Sequence, residues 1–184
     1  LNGGVTPRPI AWISTRSKDG VDNLAPYSFF TVASCNPPVI LYTQVTPRAG
    51  LGKDTLKNLI ETGECVVNIV NSDLMDIMNA TSASLPIDQS EFSHAGVEYC
   101  VSQKVSALSV KKSPVRYECR LRETLSIGDL AGSGTVVLLD VTSVYVRDDL
   151  YSDGMINQEH LDSVGKMGGD GYYVSAKYVE IDRP

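Results

Sequence analysis

Three stretches of this chain hold residue types and spacings that could do chemistry. In "GKDTLKNL" (52–59), a helix beginning near Asp54 and Thr55 would point unpaired backbone N–H groups and the positive end of its dipole outward. Lys53 stands just before that end and Thr55 adds a hydroxyl. Anions favour helix N-termini, so the segment reads as a phosphate seat. The same residues also describe an ordinary surface helix with Asp54 as its N-cap. "GKMGGDGYY" (165–173) has the glycine content of a dinucleotide-binding loop. That fingerprint needs a strand before it and a helix after it, and "YYVSAKYVEI" reads as a strand, so a Rossmann site is excluded. What stays open is a loop whose glycines bring backbone close to a ligand or a neighbouring subunit, or a plain turn.

The third stretch is "NLAPYSFFTVASCNPPVI" (23–40), extended in character yet rich in Ala25, Ser28, Thr31, Ala33, Ser34 and Asn36. Small residues on a strand let a flat ligand approach the backbone, and hydroxyls and amides can satisfy its polar edge. Pro37-Pro38 removes two donors and is expected to end sheet pairing there. The alternative is that Tyr27, Phe29 and Phe30 are core aromatics and the serines face solvent.

Cys35, Cys65, Cys100 and Cys119 lie in or beside apparent strands, with no C-x-x-C pair, and His94 and His160 stand far apart. Metal sites gather their ligands, and nothing gathers here, so no metal is expected. The thiols read as buried, reduced and structural, with Cys35 kept open as a reactive one.

The elements that would position these stretches are mostly strands. Ile10–Thr15 is one, and Lys18-Asp19-Gly20 turns the chain into a second from Val21. Residues 39–45 make a third. In "KDTLKNLIETGE", Leu56, Leu59 and Ile60 follow helical spacing, and Gly63 sits where a helix-ending glycine belongs. Residues 65–70 return to strand. Ser72 can cap a short helix that puts Leu74, Ile77 and Met78 on one face. Residues 81–97 read as loop, 115–127 and 135–146 as long strands, 158–164 as a short helix, and 172–181 as a final strand. Many strands with short helices predict an antiparallel barrel in one domain over residues 1–184, not a doubly wound sheet.

At 184 residues the chain is long enough to bury a core. A net charge of −6 argues against nucleic acid or an anionic membrane as partner. No apolar run approaches the roughly 20 residues of a bilayer span. No charged segment followed by an apolar one opens the sequence, which predicts a cytoplasmic protein. The chain starts on Leu1, and an incomplete N-terminus is expected.

"TPRPIAWISTRSKDGVDNLAPYSFFTVASCNPPVILY" resembles the N-terminal half of the flavin reductase-like family, the FMN-binding split barrels that include flavoredoxin. The similarity continues in order through "KDTLKNLIETGECVVNIV", "MNATSASLP", "EFSHAGVE", "SPVRYECRL" and "VGKMGGDGYY". The resemblance implies a six-stranded antiparallel Greek-key split β-barrel that forms a homodimer, with FMN beside the partner subunit. It implies that Asn23, Ala25, Pro26, Tyr27 and Ser28 border the isoalloxazine, and that Ala33, Ser34, Cys35 and Asn36 line the ribityl and phosphate side. Lys53, Asp54 and Thr55 would hold the phosphate. Gly168, Gly169 and Tyr172 would close over the site, with His94 a candidate at its rim. The resemblance also implies a further helix before the segment that opens here.

The implied activity is NAD(P)H-dependent reduction of FMN by hydride transfer to flavin N5, with no side-chain general base. A flavin-dependent monooxygenase or an electron-acceptor protein would be the partner. The alternative is a flavoredoxin-type carrier that keeps its FMN and has little nicotinamide activity. A third reading is a flavin-binding module with neither activity.

Overall fold

The computed structural model describes residues 1–47, 54–174 and 178–182. The chain opens with β1 (Arg8–Pro9), β2 (Ala11–Arg16), β3 (Asp22–Tyr27), β4 (Phe30–Cys35) and β5 (Pro38–Val45). Next come α1 (Asp54–Thr62), β6 (Glu64–Ile69), a 3-10 turn (Ser72–Leu74), α2 (Met75–Ala80) and α3 (Glu91–Ala95). β7 (Tyr99–Cys100) and β8 (Ser109–Val110) precede the long hairpin of β9 (Val115–Ser126) and β10 (Gly134–Val146). The small elements β11 (Tyr151–Ser152), β12 (Met155–Ile156), α4 (Gln158–Leu161), β13 (Gly165–Lys166) and β14 (Tyr172–Tyr173) follow.

The main sheet is antiparallel throughout, in the order β3-β2-β6-β9-β10-β5-β4. It therefore has seven strands, against the six expected. Register shifts at Leu138/Leu139 and Val141/Ser143 mark irregularities of the kind that bend and twist a strand. The sheet curls until Tyr27 of β3 meets Tyr42 of β5, ring centroids 4.9 Å apart. One cluster fills its concave face, drawing Ala11, Ile13, Tyr27, Tyr42, Val67, Cys119, Val137 and Leu139 from six strands and Leu59 from α1.

β2 is buried on both faces. Ala11 and Ile13 enter that inner cluster, while Trp12 enters a second, outer one with Leu24, Leu74, Met78, Phe92 and Val110. A strand covered on both sides reads as a nearly continuous apolar run, as "IAWIS" does. Covalent order alone could not have told which residue faces which layer.

Several local expectations need correction. Pro37-Pro38 does not end pairing. Asn36 and Pro37 form the turn of a hairpin, and Cys35 pairs with Pro38 across it. Pro is tolerated at such a strand start, where no ladder donor is required of it. Ser72 is not a cap: it lies inside the 3-10 turn, whose first flanking residue is Asn71, and its hydroxyl bonds the Asp162 carboxylate. Leu74 and Met78 are buried in the outer cluster and Ile77 packs against it, as the spacing predicted. The 81–97 segment contains α3, ended by Gly96 in the left-handed region at φ 68°. Of the expected final strand, only Tyr172 and Tyr173 pair among the described residues; 175–177 lie outside them. Cys65 and Cys119 are buried, directly opposite each other on β6 and β9, but Cys35 is exposed and Cys100 partly so.

Candidate functional site

β3 is the axis of the site. Its N-terminal half carries Asn23, fully framed by polar partners: Asn23 Nδ2 donates to Thr55 Oγ1 (2.8 Å) and lies 3.4 Å from Thr15 Oγ1. Asn58 Nδ2 donates to the same Thr15 hydroxyl (3.2 Å). Four buried polar residues thus lock the first turn of α1 against β2 and β3. Gly63 ends α1 at φ 73°, its N–H on the Leu59 carbonyl, as the helix-ending glycine predicted.

Next to this network opens a cleft of about 650 Å³, lined by Asn23, Ala25, Asp54, the 81–87 loop and Glu91. Two side chains fix its walls. Trp12 Nε1 donates to Thr81 Oγ1 (2.9 Å), which itself donates to the Met78 carbonyl (2.7 Å), tying the loop to β2. Glu91 accepts from the Leu24 N–H (2.9 Å), tying α3 to β3. Burial raises the Glu91 carboxyl above its ordinary range, and nearby Asp54 adds to the rise. Burial likewise raises the Tyr27 phenol.

The other half of β3 lines a second cleft of about 280 Å³. Pro26, Tyr27 and Ser28 form one wall, with Met78, Asn79 and Ser82 beside them. Lys166, Gly169, Asp170 and Tyr172 form the other. The small sheet β1-β13-β14 brings these glycine-rich residues here, through the pairs Arg8↔Lys166 and Lys166↔Tyr172. Tyr172 donates its hydroxyl to Asn79 Oδ1 (2.8 Å). Ser82 lines both clefts, and consecutive residues Ala25 and Pro26 lie one in each, so the two clefts adjoin at β3 and are together called the groove along it. Volumes of this order are those of small-molecule sites, roughly 300–1,000 Å³.

The structure brings together much of the residue set expected from sequence. Asn23, Ala25 and Asp54 line the larger cleft, Pro26, Tyr27, Ser28, Gly169 and Tyr172 the smaller, and Thr55 supports Asn23 from beneath. Gly168 is exposed beside Gly3. Ala33, Ser34, Cys35 and Asn36 sit on the edge strand β4 and its turn and border none of the clefts described. His94 is exposed in the last turn of α3 and borders none either. Lys53 lies outside the described residues. Sequence reasoning missed Arg8, Lys166, Asn79, Ser82 and Glu91. The signal for Lys166 was present, a cation inside the glycine motif; Arg8, isolated between two prolines, gave none.

Among the described residues, no group of three or more His, Cys, Asp or Glu could hold a metal, and no helix is long and apolar enough to cross a membrane.

A curled antiparallel sheet with a ligand-sized groove along one strand defines a class, and comparison with known proteins defines the family. The model of the flavin reductase like domain matches residues 3–165, and the chain belongs to the flavin reductase-like family. An uncharacterized protein of Halalkalibacterium halodurans is 37% identical over 186 residues, covering 100% of this chain and 89% of its own. The crystal structure of nitrilotriacetate monooxygenase component B from Bacillus cereus superposes with a TM-score of 0.92 at 33% identity, over 98% of this chain and 90% of that one. A candidate flavin reductase with a split barrel domain from Shewanella frigidimarina gives 0.86 at 27% identity, over 96% and 86%. Flavoredoxin of Desulfovibrio vulgaris shares the fold at 16% identity, with a TM-score of 0.82 over 96% and 91%.

Proposed function

We propose that the groove along β3 binds FMN and that the protein reduces it with NAD(P)H. The observation that carries this reading is the placement of Asn23–Ser28 along both clefts, with Ala25 only 7% exposed between them. The donor set fits a flavin. Ala25 leaves room for a flat ring system, and Ser28, Asn79 and Ser82 offer hydroxyl and amide groups to a polar ring edge. When bound, FMN would supply the redox chemistry, as acceptor of a hydride (two electrons and one proton) from the nicotinamide.

The chain's own residues bind and orient. The Asn23–Thr55–Thr15–Asn58 network holds the start of α1 in place, and the Trp12–Thr81 bond holds the loop over the larger cleft. No side chain is required as a general acid or base. Lys53, Asp54 and Thr55 are the proposed phosphate seat, and Ala33, Ser34, Cys35 and Asn36 the proposed ribityl and phosphate contacts. Gly168, Gly169, Tyr172 and His94 are proposed for the nicotinamide side. The reading includes a cytoplasmic homodimer. The Bacillus cereus relative is a monooxygenase component, which supports a partner oxygenase here that consumes reduced flavin.

The test is direct. FMN titrated into micromolar protein should bind saturably, quenching its fluorescence. NADH or NADPH oxidation should then depend on added FMN. Saturable binding with no bleaching by either nicotinamide, but reversible reduction by dithionite, would replace the reductase reading with that of an electron carrier.

A further inference from the structure

Arg8 is a buried cation without a buried anion. It is 8% exposed, and its guanidinium donates only to neutral acceptors: Asn2 O (2.8 Å), Val5 O (2.9 Å), Met167 O (3.1 Å) and Ser28 Oγ (3.3 Å). It also lies over the Phe29 ring, 5.7 Å from its centroid. Among the described residues, no carboxylate lies within ion-pairing distance of Arg8 or of Lys166. A desolvated charge normally has a counter-charge, because burial removes the water that would stabilise it.

The direction in which the charge acts can be read from Ser28. Its oxygen accepts from Arg8 Nε, so the hydroxyl proton is free to be donated away from the guanidinium. Ser28 lines the smaller cleft. So does Lys166, whose Nζ is held 4.2 Å from the Tyr172 ring centroid and donates to Gly171 O (3.2 Å). Tyr172 is anchored in turn by Asn79. Asp170 is the one carboxylate among the lining residues of this cleft. The larger cleft has the opposite character, since its charged lining residues are Asp54 and Glu91.

We infer that Lys166 and Ser28, with Arg8 as the positioning residue behind Ser28, form an anion subsite whose ligand is the N1–C2=O edge of reduced flavin. This rests on the groove being the flavin site. Reduction by hydride leaves negative charge on that edge, while the oxidised ring is neutral there. A preorganised cation and hydroxyl facing it favour the reduced state selectively. Lys166 thus contributes to catalysis as an electrostatic group and exchanges no proton.

The experiment compares wild type, Lys166→Gln, Lys166→Arg and Ser28→Ala. The affinity of each for oxidised FMN is read by fluorescence quenching, and the midpoint potential of the bound flavin by anaerobic titration against dyes of known potential. Lys166→Gln should lose about tenfold more affinity for reduced than for oxidised FMN, which for a two-electron couple lowers the potential by about 30 mV. Ser28→Ala should shift it in the same direction by less, and Lys166→Arg should keep most of the wild-type value. Riboflavin must show the same shift, because the edge in question is on the ring. An unchanged potential in Lys166→Gln overturns the assignment. So does a loss seen with FMN but not riboflavin, which would make the phosphate the anion, and so does a raised KM for NAD(P)H alone, which would make it the donor. Wild-type protein that binds no FMN overturns both this inference and the reading beneath it.

Discussion

β3 and β4 are cut from one continuous stretch of small, hydroxyl and amide residues, and they end in opposite surroundings. β3 is covered on both faces: Asn23, Leu24, Ala25 and Tyr27 are buried, between the inner cluster on one side and α3 on the other. β3 and β4 are the two end strands of the main sheet, but β4 is uncovered, with Thr31, Val32, Ala33 and Cys35 exposed. On β3 Asn23 belongs to the buried network that holds the start of α1. On β4 the same residue types pair with β5 and face outward. Residue type alone therefore does not decide burial; what matters is whether a second layer covers the strand.

The largest expected difference is in stability. Tyr27→Ala removes a buried ring packed at a tilt against Tyr42 and should cost about 3–5 kcal/mol, whereas Val32→Ala, at a position 62% exposed, should stay within about 0.5 kcal/mol. Equal urea midpoints for the two variants would erase the contrast between the strands.

Amides give the next step down. Asn23→Ala leaves Thr55 and Thr15 short of a buried donor and should cost roughly 1–3 kcal/mol, with weaker FMN binding because the start of α1 loosens. Asn36→Ala, in the exposed hairpin turn, should change urea stability by no more than about 0.5 kcal/mol.

A pH dependence attaches to β3 alone, through Glu91 on the Leu24 N–H. Its carboxyl is raised above the ordinary 4.5 mainly by burial, so above that value the native chain holds more protons than the unfolded one. The contribution of Glu91 is then fullest below 4.5 and is lost as pH rises through the raised value. Glu91→Gln, which keeps an acceptor for Leu24, should flatten this part of the stability profile. Urea midpoints collected from about pH 4 to pH 7 check it, and parallel profiles for the two proteins would contradict it.

The smallest effect separates the thiols. Cys35 should react with an aromatic disulfide reagent in the native protein, and Cys35→Ser should abolish that fast phase without altering stability. Cys65 and Cys119 should react only on unfolding. The Cys119 thiol is raised by its contact with Cys65 and by burial, which further slows attack through the thiolate.

Much of this was legible in the chain. Apolar spacing located α1 and its terminal Gly63. Alternation and turn residues located β2, β5, β6, β9 and β10, and the start of β3, to within a residue or two. The site strand was visible in Ala25, with Ser28 just past its end. The break between β3 and β4 was not, because Ser28-Phe29 carries neither Pro nor Gly. α3 was hidden too: five residues are too few for helical periodicity to register, and it is held instead by Phe92 in the outer cluster and Glu91 on β3.

By itself the sequence determined which segments extend, which coil and which family they compose, since these follow from local period, turn chemistry and ordered motifs. Only the tertiary structure decided which small residues would line a groove and which would face solvent. It alone made Arg8 a buried cation, because the contact from Arg8 to Met167 O joins residues 159 positions apart. No local pattern encodes a contact of that span; it exists once the curled sheet has brought β1 and β13 side by side.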